Sequence, residues 1–230
     1  MAKIAIVTGA SGNMGQAVVK KFIGEGYLVV GTVIPNDNVT LDFPEGKFEK
    51  VVVDLMNEQE AEKMVAGIAA KHGSIDVAVL TVGGFAMGKI ADTRTADVMK
   101  QIKLNFETAY NTARPVFLQM LKQQAGRIFI IGSKPGLEAR FGKGMVGYGL
   151  SKSLNFRLAQ LMNDEAKGTN VVTSVVVPST IDTPQNRKSM PEAHFEDWVS
   201  AEAIANAIYF YSTDEAAVLR EPILKVYNNA

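Results

Sequence analysis

Two rhythms of apolar residues alternate along this chain. The first is a set of short runs rich in Val and Ile, at 3–7, 27–33, 48–53, 75–82, 127–132, 171–177 and 223–227. Runs of this length with few polar interruptions are typical of strands covered on both faces of a parallel sheet. The second rhythm recurs at helical spacing between the runs. Ala17, Val18, Phe22 and Ile23 follow the first run, and Ala61, Met64, Val65 and Ile68 follow the third. Val98, Ile102, Phe106, Ala109, Val116, Phe117, Met120 and Leu121 mark a long helix over 97–124. Leu154, Leu158, Leu161 and Met162 mark another over 148–167, facing inward or toward a partner, and Ala205, Ile208 and Tyr209 carry a last one. This alternation predicts an α/β fold: a doubly wound parallel sheet of about seven strands, in a single domain over 1–230. Asn57-Glu58-Gln59-Glu60 reads as a capping box, and Pro35 to Gly46 as a loop where a crossover helix is usual.

Residues just past the strand ends of an open parallel sheet collect along one edge, where ligands bind. The first strand ends in Thr8-Gly9-Ala10-Ser11-Gly12-Asn13-Met14-Gly15 and a helix follows. In that setting Gly9 permits a tight turn, Gly12 lets backbone approach a pyrophosphate, and Gly15 lets helix and strand lie close, as in a Rossmann-type dinucleotide site. The helix N-terminus adds free N–H groups for phosphate; an ordinary tight turn is the plainer alternative. The second strand ends at Val33, where an acidic residue would hold the ribose hydroxyls of NAD, and no Arg or Lys follows to greet a 2′-phosphate. NAD and NADP both stay open, with Asp37 or Asn36 as the nearest substitutes for the missing acid. Asp54, followed by Leu55, falls at the third strand's end, and Gly83-Gly84 at the fourth's could admit a flat ring. Asn105, a poor helix-interior residue, wants a reason for its place. Ser133 closes the fifth strand, and a glycine-rich irregular stretch over 134–145 follows it. Pro178-Ser179-Thr180 opens a polar excursion over 178–199 that suits a substrate lid.

Composition narrows the classes. Lys and Arg total 24, as do Asp and Glu, and there is no basic run, so the footprint of a nucleic-acid binder is missing. A small-molecule partner fits better. The chain has no Cys, which excludes a disulfide framework and a thiol nucleophile. With no leader-like start and no apolar run of membrane-spanning length, a cytoplasmic protein with no membrane partner is expected. His72 and His194 are far apart, so no metal site is expected. Arg187 and Lys188 could attract an acidic substrate, though charged lid residues are usually just solvated.

Tyr148 and Lys152 stand four residues apart at the start of a helix, a turn apart on one face. At roughly 5 Å and an effective dielectric near 20, an ammonium would stabilise the phenolate by about 3 kcal/mol, roughly two units off a phenol pKa of about 10. Such a Tyr can exchange a proton near neutrality. Taken together, Thr8-Gly9 to Gly15, Asp54, the Gly83-Gly84 pair, Asn105, Ser133, Tyr148, Lys152 and Pro178 resemble the short-chain dehydrogenases/reductases over essentially the whole chain. The resemblance implies that Tyr148 is the general acid/base, that Lys152 lowers its pKa and holds the nicotinamide ribose, that Ser133 bonds the substrate oxygen, and that Asn105 supports a proton-relay water. It also implies NAD or NADP as cofactor and a homodimer or homotetramer paired through the helices over 97–124 and 148–167. The segments from Gly147 to Lys152 and from Thr183 to Ala193, with Phe195 and Trp198, further resemble the dihydropteridine reductases, which reduce quinoid dihydropterin. Those enzymes have an acidic residue in place of Val33 and lack the Ser and Asn kept here as Ser133 and Asn105. Carbonyl/alcohol oxidoreduction is therefore the first expectation, and pterin reduction the second. A non-catalytic cofactor sensor is the third, and it has no need of a proton donor.

Overall fold

In the computed structural model, which describes residues 2–229, the first apolar run forms β1 (Ile4–Thr8), buried along its length, and leads through the glycine turn into α1 (Asn13–Gly24). Then come β2 (Leu28–Val33), β3 (Phe48–Val52), α2 (Glu58–His72) and β4 (Val77–Leu80). The chain continues through α3 (Thr95–Ile102), α4 (Thr108–Gln123), β5 (Ala125–Ile131), α5 (Lys134–Leu137), α6 (Val146–Glu165) and β6 (Asn170–Pro178). Beyond β6 lie β7 (Ile181–Asp182), α7 (Pro184–Ser189) and β8 (Val199–Ser200), followed by α8 (Ala201–Tyr211) and β9 (Ile223–Val226).

Seven strands form one parallel sheet in the order β3-β2-β1-β4-β5-β6-β9. The chain runs outward from β1 to β3, then returns to the other side of β1 as β4. That reversal opens a crevice beyond the carboxyl ends of β1 and β4, where an open α/β sheet binds its ligand. One face of the sheet packs Val18 and Phe22 of α1 with Ile204 and Ile208 of α8; the other packs Met64 and Val65 of α2, Phe117 and Met120 of α4 and Met162 of α6. On α6 the expected apolar stripe splits: Met162 faces the core, whereas Leu154 and Leu161 are exposed.

Four local expectations need correction. The helix over 97–124 is interrupted by a π-helical turn, Lys103–Glu107, centred on Asn105. The capping box at α2 is one-sided: the Asn57 side chain accepts from the Glu60 N–H, but the Glu60 carboxylate accepts from the Asp54 N–H, the donor it meets in the folded turn. The stretch over 134–145 is ordered by α5 and a 3-10 turn at Ala139–Phe141. It lies so near α6 that a Cβ on Gly136 would fall 2.6 Å from Lys152 Cβ. Finally, the polar excursion over 178–199 is structured. Thr183 caps α7, β7 pairs with β8, and Arg187 is bound by Asp182 through two bonds of 2.6 and 2.7 Å while covering the Phe195 ring. Arg187 is thus committed to holding that segment together.

Candidate active site

The glycine turn is built by close backbone approach. Gly9 takes φ +63°, and a Cβ on Gly15 would lie 2.1 Å from the Gly9 carbonyl oxygen, so no side chain fits there. Gly12 precedes α1 in extended geometry, and no side chain caps the helix. The first-turn N–H groups of α1 are therefore available to an anion. Thr8 is turned away from the cleft: its hydroxyl accepts from the Thr81 N–H at 3.0 Å and its carbonyl accepts from the Thr81 hydroxyl at 2.6 Å, locking the ends of β1 and β4 together.

A cavity of about 1230 Å³ runs along this edge. At one end it is lined by Gly9, Ser11, Gly12, Asn13, Met14 and Gly15, with Val33, Asp54 and Leu55 beside them. At the other end Gly83, Gly84, Ser133, Tyr148 and Lys152 form its wall, with Pro178 and Thr180 from the end of β6 and the turn after it. Of the residues singled out from sequence, Thr8 and Asn105 stand behind this wall.

Asn105 is almost fully buried and works on backbone. Its Oδ1 accepts from the Gly84 N–H at 2.9 Å, and its Nδ2 donates to the Gly84 carbonyl at 3.0 Å, so the amide pairs with both polar groups of one glycine. Nδ2 also reaches Gln101 Oε1 and Ser151 Oγ, each at 3.1 Å, and the Asn105 carbonyl accepts from Asn155 Nδ2 at 3.2 Å. The glycine pair is explained by the same crowding. A Cβ on Gly83 would lie 2.7 Å from Asn105 Oδ1 and 3.0 Å from Lys152 Nζ. Gln101, Ser151 and Asn155 escaped the sequence reading because nothing in their spacing marks them; only Asn105, as a misplaced polar residue, hinted at a network.

Tyr148 occupies the first turn of α6 and lines the cavity wall together with Ser133. Ser133 Oγ accepts from the Gly136 N–H at 3.2 Å, so capping α5 fixes its rotamer. The Phe85 ring stands edge-on to Tyr148 with centroids 5.1 Å apart, a neighbour the sequence reading passed over. Lys152, one turn further along, donates to the Ile131 carbonyl at 2.8 Å. The expected downward pull of Lys152 on Tyr148 is not what dominates. Burial raises the Tyr148 pKa, and the Ser133 side chain opposes that rise. Burial also lowers Lys152 to about 8, because an ammonium loses its hydration there. An i,i+4 spacing carries no information about desolvation, which acts on both groups.

These features accommodate a dinucleotide: a side-chain-free cradle at Gly9 and Gly15, an uncapped helix, and a buried cation beside a half-buried phenol at the far end. The model of the short chain dehydrogenases matches residues 3–194. The chain belongs to that family. Acetoacetyl-CoA reductase of Acinetobacter sp. is 28% identical over 189 residues, which is 79% of this chain and 75% of that protein. The 3-oxoacyl-acyl-carrier-protein reductase of Thermotoga maritima is 25% identical over 97% of this chain and 96% of its own. Dihydropteridine reductase of Dictyostelium discoideum is 27% identical over 93% and 89%. Among solved structures, ElxO with NADP bound shares the fold with TM-score 0.88 at 21% identity, covering 98% of this chain and 97% of that one. Thermoplasma acidophilum aldohexose dehydrogenase shares it with TM-score 0.83 at 23% identity, covering 98% and 92%. This short-chain dehydrogenase is an oxidoreductase that uses NAD or NADP. Among the described residues, no helix is long and apolar enough to cross a membrane, and no group of three metal-ligating side chains gathers.

Proposed function

We propose that this protein moves hydride between a nicotinamide cofactor and a small carbonyl or alcohol substrate, with Tyr148 as the proton donor and acceptor. The observation that carries the reading is that Tyr148, Ser133 and buried Lys152 line one wall of the cavity together. Two hydroxyls on one wall can both serve one substrate oxygen: Ser133 donates a hydrogen bond to the charge that develops there, and Tyr148 delivers the proton. A bound nicotinamide supplies or accepts the hydride. The raised pKa keeps Tyr148 protonated at neutrality, the form that carbonyl reduction needs. Lys152 adds a positive charge beside Gly83, and Asn105 fixes the Gly84 backbone that forms the adjoining wall. Assay of NADH and NADPH oxidation against a panel of ketones, aldehydes and acyl thioesters tests the reading, and tight cofactor binding with no turnover across the panel would refute it.

A second reading, reduction of a quinoid dihydropterin, is favoured by the rim. Phe85 and Met190 line the cavity and are both exposed, and Phe85 meets Tyr148 in a T-shaped pair, which puts aromatic surface there for a flat heterocycle. The Dictyostelium relative supports the same reading. Direct assay with quinoid dihydropterin decides it; no reduction would dispose of it.

We further infer that copies of the chain pair through α4 and α6. Tyr110 and Leu118 on α4, with Leu150, Leu154 and Leu161 on α6, are large apolar side chains left exposed on two long helices. Light scattering should then give a mass of at least twice the 24.8 kDa chain; a monomer at micromolar concentration would contradict it.

A further inference from the structure

The end of β2 lacks a carboxylate, yet one reaches the glycine turn from further along the loop. Asp37 Oδ2 accepts the hydrogen of the Ser11 hydroxyl, and Asp37 Oδ1 accepts from the Val39 N–H at 2.9 Å. The Ser11 hydrogen bond, then the Val39 N–H, hold the Asp37 carboxyl below the usual carboxylate range against slight burial, and Lys50 of β3 adds a weaker pull in the same direction. The carboxylate is therefore ionised at neutrality, and both of its oxygens are engaged.

The consequence falls on Ser11, which lines the cavity. Having given its only hydrogen to Asp37, the Ser11 oxygen has only lone pairs left to offer a ligand. A hydroxyl can donate to it. A phosphate, whose oxygens at neutrality are mainly acceptors, cannot bond to it, and also meets the Asp37 charge just behind. The cations that line the cavity, Lys134 and Lys152, belong to α5 and α6 at its far end; the lining at the ends of β2 and β3, which includes Val33, Ile34 and Asp54, holds no cation.

We infer that Ser11 and Asp37 form the element that discriminates between the two dinucleotides, accepting the free 2′-hydroxyl of the adenosine ribose and rejecting a 2′-phosphate. The ribose of a dinucleotide lies between the second strand's end and the glycine turn, which is where this pair stands. The inference rests on the dinucleotide site and is independent of the role given to Tyr148.

Fluorescence titration of the intact protein with NADH and with NADPH tests it by binding alone. NADH should bind at least about tenfold more tightly, the scale of one like-charge contact at a partly solvated site. Asp37→Asn keeps an acceptor for the Val39 N–H, removes the charge and frees the Ser11 hydrogen. It should tighten NADPH by about tenfold and change NADH by less than about threefold. Ser11→Ala leaves the carboxylate in place and should weaken NADH while NADPH stays poor. Equal or tighter NADPH binding by the unaltered protein would overturn the inference, as would an unchanged NADH/NADPH ratio in folded Asp37→Asn. If Asp37→Asn fails to fold, the unaltered protein's ratio and Ser11→Ala decide the matter. A protein that binds NADH selectively but turns over nothing would count against the Tyr148 mechanism and leave this inference standing.

Discussion

Strand β5 has a buried cation at each end, and the two are treated differently. At its amino end Arg127 donates to the Gly126 carbonyl at 3.0 Å, to the Asn170 carbonyl and side chain at 2.7 and 3.0 Å, and to the Ala217 carbonyl at 3.4 Å. At its carboxyl end Lys152 has one acceptor among the described residues, the Ile131 carbonyl. Burial lowers the pKa of both, with Arg220 adding repulsion at Arg127. The guanidinium has enough planar donors to satisfy several carbonyls at once and stays charged, so it ties β5 to β6 and to the segment before β9. The ammonium has three donors, one protein acceptor and a pKa brought near neutrality, on the wall of the cavity. Arg127 keeps an unpaired Nε too, but it stands away from the cavity, so what separates the two cations is that Lys152 has its spare donors on a cavity wall.

Exchanging each cation for Met should break the comparison open. Lys152→Met should cost the greatest effect, a loss of turnover of at least about a hundredfold, because the charge beside Gly83 and Tyr148 disappears. Steady-state kinetics check this, and turnover within threefold of the original would refute it. Arg127→Met should leave kcat nearly unchanged but destabilise the fold by about 3 kcal/mol, since several buried acceptors lose their partner together. Denaturant melts measure that loss.

Lys152→Met should move stability the other way, and by less. Its folded pKa of about 8 lies below the ordinary 10.5, so the folded protein binds fewer protons between those values. The original protein therefore gains stability as pH rises through that window and carries the full burial penalty below it. Removing the ammonium should add about 2 kcal/mol near neutrality, once the lost Ile131 bond is deducted, and the gain should fade in alkali. A gain that does not change with pH would show that the penalty is not one of charge.

The sheet was legible because β-branched runs bounded by glycine and polar residues have few other fates: the runs over 27–33 and 171–177 correspond to β2 and β6 within a few residues. The convergence of Ser133, Tyr148 and Lys152 was legible because strand ends of a parallel sheet share an edge. The π-helical turn at Asn105 was not: no local pattern marks it, and the Gly84 backbone that Asn105 meets lies 21 residues away. Nor was the direction of the Tyr148 pKa, which depends on burial that spacing cannot report. The Asp37–Ser11 bond depends on how an irregular loop folds back, and local pattern says nothing of that. The helix at Pro184–Ser189 did carry a readable signal, Thr183 before Pro184, which is a capping residue followed by proline at the first helical position.

The most direct measurement compares Tyr148→Phe with the unaltered protein for two quantities at once, cofactor affinity and turnover of whichever substrate the panel identifies. The phenyl ring keeps the packing against Phe85 and removes only the hydroxyl, so cofactor Kd should stay within about threefold while kcat falls by about a thousandfold. Turnover that survives this substitution would contradict the account.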